Sequence, residues 1–214
     1  MNVKDLSRVV ACISKRVSQK KDELIRLDQQ SGDGDLGISM RDGFQAAEGG
    51  MEAETVKDLG IALNECGIRF NEAAPSSLGT ILSFGFNGMA KALRGMEECS
   101  YQELIEAMES GISNIMEKAG SKPGEKTILD ALCPGIAAMR AFRKEGVLKA
   151  AEEAVKAAQS GSEKTREMKA VWGRAACYGE KTIGMVDGGS VVGVLIFEGI
   201  YDYIRDGERS NRNV

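Results

Sequence analysis

The chain has 214 residues, of which 43% are apolar, and its 28 basic and 32 acidic side chains give a formal net charge of -4 at pH 7. Such a composition can bury a globular core, and a near balance of charge without a basic block argues against nucleic acid and anionic membrane surfaces as partners. No histidine is present, which excludes Ser-His and Cys-His catalysis, histidine metal ligands and phosphohistidine.

The longest apolar stretch is too short to span a bilayer. It lies near residues 193–197 and is cut by Glu198, whereas a membrane-spanning helix needs roughly 20 residues. The opening MNVKDLSRVV mixes charged with apolar residues and lacks the pattern of a secretory signal. The five cysteines are widely spaced and form no CxxC pair, as expected of small core or surface residues rather than a zinc site. We therefore expect a cytoplasmic protein with no membrane partner.

Apolar residues recur with the period of an α-helix along most of the chain, and only three prolines interrupt them. The first predicted helix shows this best, with a stripe formed by Val3, Leu6, Val10, Ile13, Val17 and Leu24. Further stripes predict helices over about 36–49, 54–73 and 77–94.

The second half of the chain continues the helical pattern. Ser100 and Glu103 form a capping box that opens a fifth helix, and Gly120 is its expected end. The remaining helices are expected over about 127–142 with a bend at Pro134, 147–177, which Ser160-Gly161-Ser162 could break, and 189–205. The predicted fold is all-α: an eight-helix antiparallel up-and-down bundle or barrel, in a single domain over residues 1–214.

Connections in such a bundle alternate between its two ends. The odd-numbered connections share one end and read SGDGDLG, AAPSS, GSKPGEKT and CYGEKTIGMVDGG, whereas the even-numbered ones read EGGMEAE, RGMEECS and RKEG. Only the odd set departs from ordinary turn chemistry, which predicts a functional site at that end. A reversal of the chain near Gly161 would remove this prediction.

The first of these connections, residues 28–35 or the acidic bend, carries Asp28, Asp33 and Asp35. Asp28 continues the inward stripe of the first helix, and the other two lie on a glycine-flanked turn from which they can face the same point. Three carboxylates without a nitrogen or sulfur donor suit Mg2+ with a phosphate-bearing ligand. Asp-Gly pairs are also common turn formers, and Asp35 could simply cap the next helix. For this loop alone both interpretations stay open.

The other odd connections offer candidates for binding phosphate. Ser76 and Ser77 begin the fourth helix, and Asp187-Gly188-Gly189-Ser190 begins the eighth, so free backbone amides at either helix start could hold an anion. Either could equally be a plain helix cap. Arg174 and Lys126 supply positive charge near the same end, unless they are solvated surface residues. The joint occurrence of these features favours a site.

An apolar surface on the same loops could support a nucleotide base. It would consist of Leu36, Ile128 and Met185. Methionine more often fills gaps in a core, so a core role for these residues is the alternative.

The ordered set LDQQSGDGDLG, APSSLG, KPGEKTILDAL and GRAACYGEKTIGMVDGG resembles the DhaL family, the nucleotide-binding subunit of dihydroxyacetone kinases, over nearly the whole chain. The resemblance implies an eight-helix barrel that holds ADP or ATP through two Mg2+ ions at one end. It implies Asp28, Asp33 and Asp35 as metal ligands, which together with Arg174 form the catalytic set. The implied nucleotide contacts are Leu36, Gly37, Ile38, Ser39, Ser76, Ser77, Ile128, Arg174, Asp187, Gly188 and Gly189.

By the same resemblance the chain is one half of a phosphotransferase. A separate DhaK-type subunit would hold the ketose through a histidine, and the phosphoryl donor would be either free ATP or a bound nucleotide recharged by a DhaM-type phosphocarrier. The sequence departs from the family pattern at Leu36, where histidine is common, at Pro75-Ser76-Ser77-Leu78, where a glycine-rich run is common, and at Gly188, where proline is common. The alternative function is a non-catalytic adaptor that binds Mg-nucleotide and docks on a regulator.

Overall fold

A computed structural model describes residues 1–49 and 56–212, and within these ranges the chain forms eight α-helices. The helices are α1 Val3–Asp28, α2 Leu36–Gly49, α3 Leu59–Ala73, α4 Ser77–Ala92, α5 Tyr101–Ala119, α6 Leu129–Ala141, α7 Val147–Lys164 and α8 Gly188–Arg212. Short 3-10 helices lie at Arg143–Glu145 and Thr165–Glu167, and the segment Arg174–Thr182 forms two such turns that meet at a kink at Gly179 (φ 57°). The all-α prediction is confirmed.

The helices form a closed ring. Each packs against the next along the chain, and α8 returns to pack against α1. The predicted stripe of α1 is buried throughout, as are Leu104, Met108, Ile112 and Ile115 of α5. Apolar side chains from most of the helices therefore meet on the axis of the ring, where a cavity of about 350 Å³ remains between them.

The two ends of the ring carry different sets of connections. At one end the amide of Leu59 donates to the Met96 carbonyl at 2.8 Å, which joins the second and fourth connections. At the other end Arg174 pairs with Asp33, which joins the seventh and first connections. Because α3 begins at the even-numbered end, its far end and the third connection lie with the odd-numbered set. The predicted alternation of the connections is confirmed.

The capping box that opens α5 is present as predicted. The Ser100 hydroxyl accepts from the Glu103 amide, the Glu103 carboxylate accepts from the Ser100 amide, and Gly120 follows in the left-handed conformation with φ 70°. Each group satisfies a backbone donor that the first turn leaves without a partner, and glycine takes the left-handed conformation without steric cost. Local side-chain chemistry therefore sets both ends of this helix.

The predicted seventh helix, 147–177, is wrong at its C-terminal end, because α7 stops at Lys164. The suspected break at Ser160-Gly161-Ser162 is also absent, and α7 runs straight through it. Gly161 instead allows close packing, since a Cβ atom there would lie 2.0 Å from the Asp130 carbonyl oxygen. Pro134 lacks the amide that would normally bond that carbonyl within α6. Glycine therefore serves here as a contact between α7 and α6.

Smaller differences affect the other boundaries. The prediction began the third helix at residue 54; residues 54 and 55 lie outside the described ranges, and the helix begins only at Leu59, after the Asp58 side chain caps it by accepting from the Ile61 amide at 2.9 Å. The fourth helix ends at Ala92 rather than at 94, and the sixth spans Leu129–Ala141. The eighth helix extends past 205 to Arg212, so its polar last turns are helical although the apolar stripe has ended. Within the described ranges, none of the helices is both long and apolar enough for a membrane crossing.

Candidate functional site

The acidic bend joins α1 to α2 and brings three carboxylates together. One oxygen from each of Asp28, Asp33 and Asp35 lies within 4.8 Å of the others. Asp28 also shapes the bend, because its Oδ2 atom accepts hydrogen bonds from the backbone amides of Gly34 at 2.7 Å and Asp35 at 3.1 Å. Asp28 is half-buried, and the other two carboxylates are exposed. The bend is therefore wrapped around one carboxylate and presents two more beside it.

Glycine is required at two positions of this bend. Gly34 has φ +81°, a conformation that side chains with a Cβ atom rarely adopt. At Gly32 a Cβ atom would lie 2.2 Å from Oδ1 of Asp28. The glycines that flank Asp33 thus let the backbone close around the Asp28 carboxylate.

Like charges accumulate in the acidic bend. Burial, and then the neighbouring Asp33 and Asp28 carboxylates, raise the pKa of Asp35, while Arg174 acts in the opposite direction. Desolvation and like-charge repulsion both disfavour the ionised carboxylate. A divalent cation would relieve this repulsion, and a set of carboxylate oxygens alone suits Mg2+. The residues present therefore fit a magnesium site.

Arg174 reaches the acidic bend from the connection between α7 and α8, which we call the 165–187 loop. Its guanidinium lies 2.6 Å from Oδ2 of Asp33, and 70% of its side chain is exposed. An exposed guanidinium can exchange a carboxylate for a phosphate, because it donates to both in the same forked geometry. Arg174 is therefore placed where a phosphate bound beside the bend would meet it.

The first turn of α2 follows directly on the bend and consists of Leu36, Gly37, Ile38 and Ser39. The amides of Ile38 and Ser39 donate to the Asp35 carbonyl at 3.0 and 2.9 Å. Gly37 is buried, and a Cβ atom there would lie 2.1 Å from a backbone carbonyl of α1. Within this turn the amides of Leu36 and Gly37 have no backbone acceptor, so they could donate to a phosphate. The four predicted contacts Leu36, Gly37, Ile38 and Ser39 stay a prediction.

Ser76 and Ser77 stand at the start of α4. Ser76 is the N-cap residue, and its hydroxyl accepts from the Gly79 amide at 3.1 Å, while Ser77 is the first helical residue. Ser76 therefore caps this helix, and whether it also contacts a phosphate stays a prediction. An anion at this helix start stays a prediction, since the remaining amides of the first turn and the helix dipole would favour one.

The start of α8 is built from Asp187, Gly188 and Gly189. Asp187 caps the helix, because its Oδ2 atom accepts from the Ser190 amide at 2.6 Å. A Cβ atom at Gly188 would lie 2.6 Å from Cδ2 of Leu36, and one at Gly189 would lie 3.5 Å from the Ile128 amide nitrogen. These two glycines therefore let the first, fifth and seventh connections approach one another.

Two of the predicted nucleotide contacts, Asp187 and Ile128, lie in an environment that affects their ionisation or exposure. Burial raises the pKa of Asp187 to about 7, against the opposing effects of the Ser190 amide and the Lys126 ammonium, and with smaller raising contributions from Asp130 and Asp28. Ile128 is 2% exposed, so its side chain belongs to the core. A contact between Ile128 and a nucleotide base stays a prediction.

Lys126 does not offer its charge to a phosphate. Its side chain is buried, and its ammonium donates to backbone carbonyls of the 165–187 loop. A second contact that the sequence did not predict lies next to it: Nε1 of Trp172 donates to Oε2 of Glu125 at 2.6 Å. No local pattern indicates either contact, because both join the fifth connection to a loop whose first part, residues 165–177, the sequence predicts as helix.

These features define a class of all-α ring proteins in which an acidic cluster and an exposed arginine meet between the connections of one end. Comparison with known families specifies that class further. The model of the DAK2 domain matches residues 30–202, and the chain belongs to this family.

Two curated relatives are similar over most of their length. The ADP-binding subunit DhaL of the PEP-dependent dihydroxyacetone kinase of Escherichia coli (strain K12) is 28% identical over 175 residues, which cover 81% of this chain and 83% of the relative. The corresponding subunit of PEP-dependent dihydroxyacetone kinase 1 of Listeria innocua serovar 6a is 30% identical over 182 residues, covering 85% and 87%.

A solved structure shares the fold. The dihydroxyacetone kinase of C. freundii in complex with AMP-PNP and Mg2+ superposes with a TM-score of 0.72 at 22% identity, over 92% of this chain and 33% of that one. The chain therefore spans about a third of that kinase. The likeness supports the helical ring and, at this identity, nothing finer.

Proposed function

We propose that the chain is the ADP- or ATP-binding subunit of a kinase for dihydroxyacetone or a related short ketose, and that it passes a phosphoryl group to a ketose held by a DhaK-type subunit. The observation that carries this proposal is the meeting of three carboxylates, within 4.8 Å of one another, with the Arg174 guanidinium. Family membership and two relatives named as ADP-binding subunits of such kinases support it.

In this function Asp28, Asp33 and Asp35 would bind two Mg2+ ions. The metal supplies charge neutralisation for the phosphoryl group in transit. The amides at the starts of α2, α4 and α8 would orient the phosphate tail, and Arg174 would leave Asp33 to pair with it. Phosphoryl transfer needs mainly positioning and electrostatic stabilisation. A chain without histidine can therefore act as the donor half, and any base for the ketose hydroxyl would come from the partner.

The source of the phosphoryl group distinguishes two forms of this proposal. The curated relatives named above belong to PEP-dependent kinases, which favours a nucleotide that stays bound and is recharged by a DhaM-type phosphocarrier over one that exchanges as free ATP. A nucleotide that survives gel filtration would support the bound form. We further propose a cytoplasmic location, since all five cysteines, which lie in the described ranges, are unpaired. The assignment of residues 1–214 to one domain remains a prediction.

The decisive experiment is reconstituted phosphoryl transfer. The chain, loaded with ATP and Mg2+, would be mixed with dihydroxyacetone and a DhaK-type subunit, and the ketose phosphate would be measured. We expect product only when all components are present. Mg-nucleotide binding without transfer to dihydroxyacetone or another short ketose would contradict the kinase and would support the adaptor instead.

A further inference from the structure

The 165–187 loop is closed at its neck. The amide of Asp187 donates to the Thr165 hydroxyl at 2.9 Å, and the amide of Gly184 donates to the Arg166 carbonyl at 2.7 Å. The chain between these contacts projects as a tip that carries Arg174. Whatever holds the neck therefore sets where Arg174 lies relative to the acidic bend.

Lys126 fills this neck. Its Nζ atom lies within hydrogen-bonding distance of four backbone carbonyls, which share its three N–H groups: those of Thr165 at 2.6 Å, Met185 at 2.5 Å, Thr182 at 2.9 Å and Met168 at 3.3 Å. Two of these carbonyls lie in the chain segment that enters the loop and two in the segment that leaves it, so one ammonium joins the two segments of the neck. The residue is 7% exposed. An irregular loop leaves carbonyls without helical partners, and a buried cation satisfies several of them at once.

The position is specialised in two further ways. Within the described residues, Lys126 is the only residue other than glycine with a positive φ, at 61°, a conformation that a Cβ atom disfavours. Among the described side chains no carboxylate forms a salt bridge with it. Burial lowers the pKa of Lys126, whereas the more distant Asp187 and Asp130 carboxylates act in the opposite direction, as four carbonyl dipoles must. The buried ammonium is therefore satisfied by the loop carbonyls, on a backbone conformation that a Cβ atom disfavours.

The loop is attached to the same connection a second time. The indole of Trp172 donates to Glu125, the residue before Lys126, at 2.6 Å. Trp172 is the only tryptophan in the chain and is 44% exposed. The tip of the loop therefore contains an intrinsic fluorescent reporter two residues from Arg174.

We propose that Lys126 is a positioning residue that fastens the 165–187 loop over the acidic bend and so holds Arg174 beside the bound phosphates. This inference rests on the proposed nucleotide site and assigns to it a residue that touches neither metal nor nucleotide. Without the ammonium, the neck carbonyls lose their shared donor and the tip opens more often. The nucleotide would then leave faster, because the group that covers its phosphates is less often in place.

The test compares Lys126→Met with Lys122→Met in the full chain. Both variants remove one positive charge from the same connection, but Lys122 is exposed. In Lys126→Met, without ligand, we expect amide hydrogen exchange to quicken about tenfold over residues 166–186, with the other helices unchanged. Acrylamide should quench Trp172 more strongly. With Mg2+ and a fluorescent ADP, dissociation should be roughly fivefold faster. Lys122→Met should match the wild type in all three measurements.

Two results would overturn the proposal. One is wild-type exchange and wild-type ADP dissociation in Lys126→Met. The other is a loss of protection throughout α6, α7 and α8, which would make Lys126 a residue of general stability. If Lys126→Met does not fold, Lys126→Arg keeps the charge in a larger group that must displace the carbonyls, and the same measurements apply. A wild-type chain that binds no ADP would contradict the proposed nucleotide site. The amide hydrogen exchange of the ligand-free wild type and Lys126→Met would still decide whether Lys126 fastens the loop.

Discussion

Replacing Asp33 by asparagine should separate ligand binding from folding. The variant removes one of three carboxylates that crowd within 4.8 Å. Two unit charges at that distance repel by about 0.9 kcal/mol even at the dielectric constant of water, so Asp33→Asn relieves about that much per pair. It also breaks the ion pair with Arg174, whose side chain is 70% exposed and whose partner is 40% exposed. Such a pair contributes about 0–1 kcal/mol.

In the ligand-free protein the two relieved carboxylate pairs gain about 1.7 kcal/mol together and the lost ion pair costs up to about 1 kcal/mol, so the free energy of unfolding should not fall and should rise by no more than about 1.7 kcal/mol. Binding of Mg-ADP should nevertheless weaken at least about tenfold, or about 1.4 kcal/mol, because a neutral amide would replace a carboxylate of the proposed metal site. Isothermal titration with and without Mg2+ would measure the affinity, and urea denaturation the stability. Asp22→Asn, on the exposed face of α1, is the matched control. Equal affinities for Asp33→Asn and the wild type would refute the metal site.

The remaining predictions concern the packing of α7 on α6, the contact of Trp172 and the metal dependence of ADP binding. Gly161→Ala should destabilise the protein by about 1–3 kcal/mol in urea denaturation, because its Cβ atom would lie 2.0 Å from the Asp130 carbonyl oxygen; an unchanged midpoint would contradict the close packing. Glu125→Gln should expose Trp172 to acrylamide. Hydrogen bonds from Trp172 and the backbone lower the pKa of Glu125 from its ordinary value of 4.5. The wild-type contact should therefore hold above pH 4.5 and weaken as the pH falls below that value. The fluorescence emission of Trp172 should shift over this range in the wild type and not in the glutamine variant. ADP should raise the melting temperature only with Mg2+, and EDTA should abolish the rise; a rise that survives EDTA would show metal-independent binding.

Much of this architecture could be predicted from local patterns. The stripe of α1 and the caps of α5 are each written within a few residues of sequence, and the packing of the ring agrees with them. The alternation of connections followed from the helix count alone, and it placed the acidic bend and Arg174 at one end. The three aspartates meet as expected because Asp28 ends a helix and the glycines close the turn around it.

The prediction was wrong for the segment after Lys164, which was expected to continue the seventh helix to residue 177. Residues 165–177 contain several good helix formers, and local propensity favours a continued helix. Tertiary contacts decide otherwise: Gly173 adopts φ +64°, and the Lys126 ammonium binds carbonyls that a helix would have satisfied internally. Side-chain patterns cannot reveal a cage made of backbone carbonyls. The same limit applies to Gly161, whose role as a contact depends on what α6 places opposite it.

The ring explains why such a charged bend can persist. Three close carboxylates repel one another, and a flexible chain would separate them. Here Asp28 is fixed at the end of α1, and its Oδ2 atom holds the backbone amides of the residues that follow. The turn after the bend is pressed against α1 at Gly37, so Asp35 cannot withdraw. The packed helices therefore hold three carboxylates close together despite their mutual repulsion. If these residues bind Mg2+ as proposed, the metal site is arranged before any nucleotide arrives, and this preorganisation lowers the free-energy cost of binding the nucleotide.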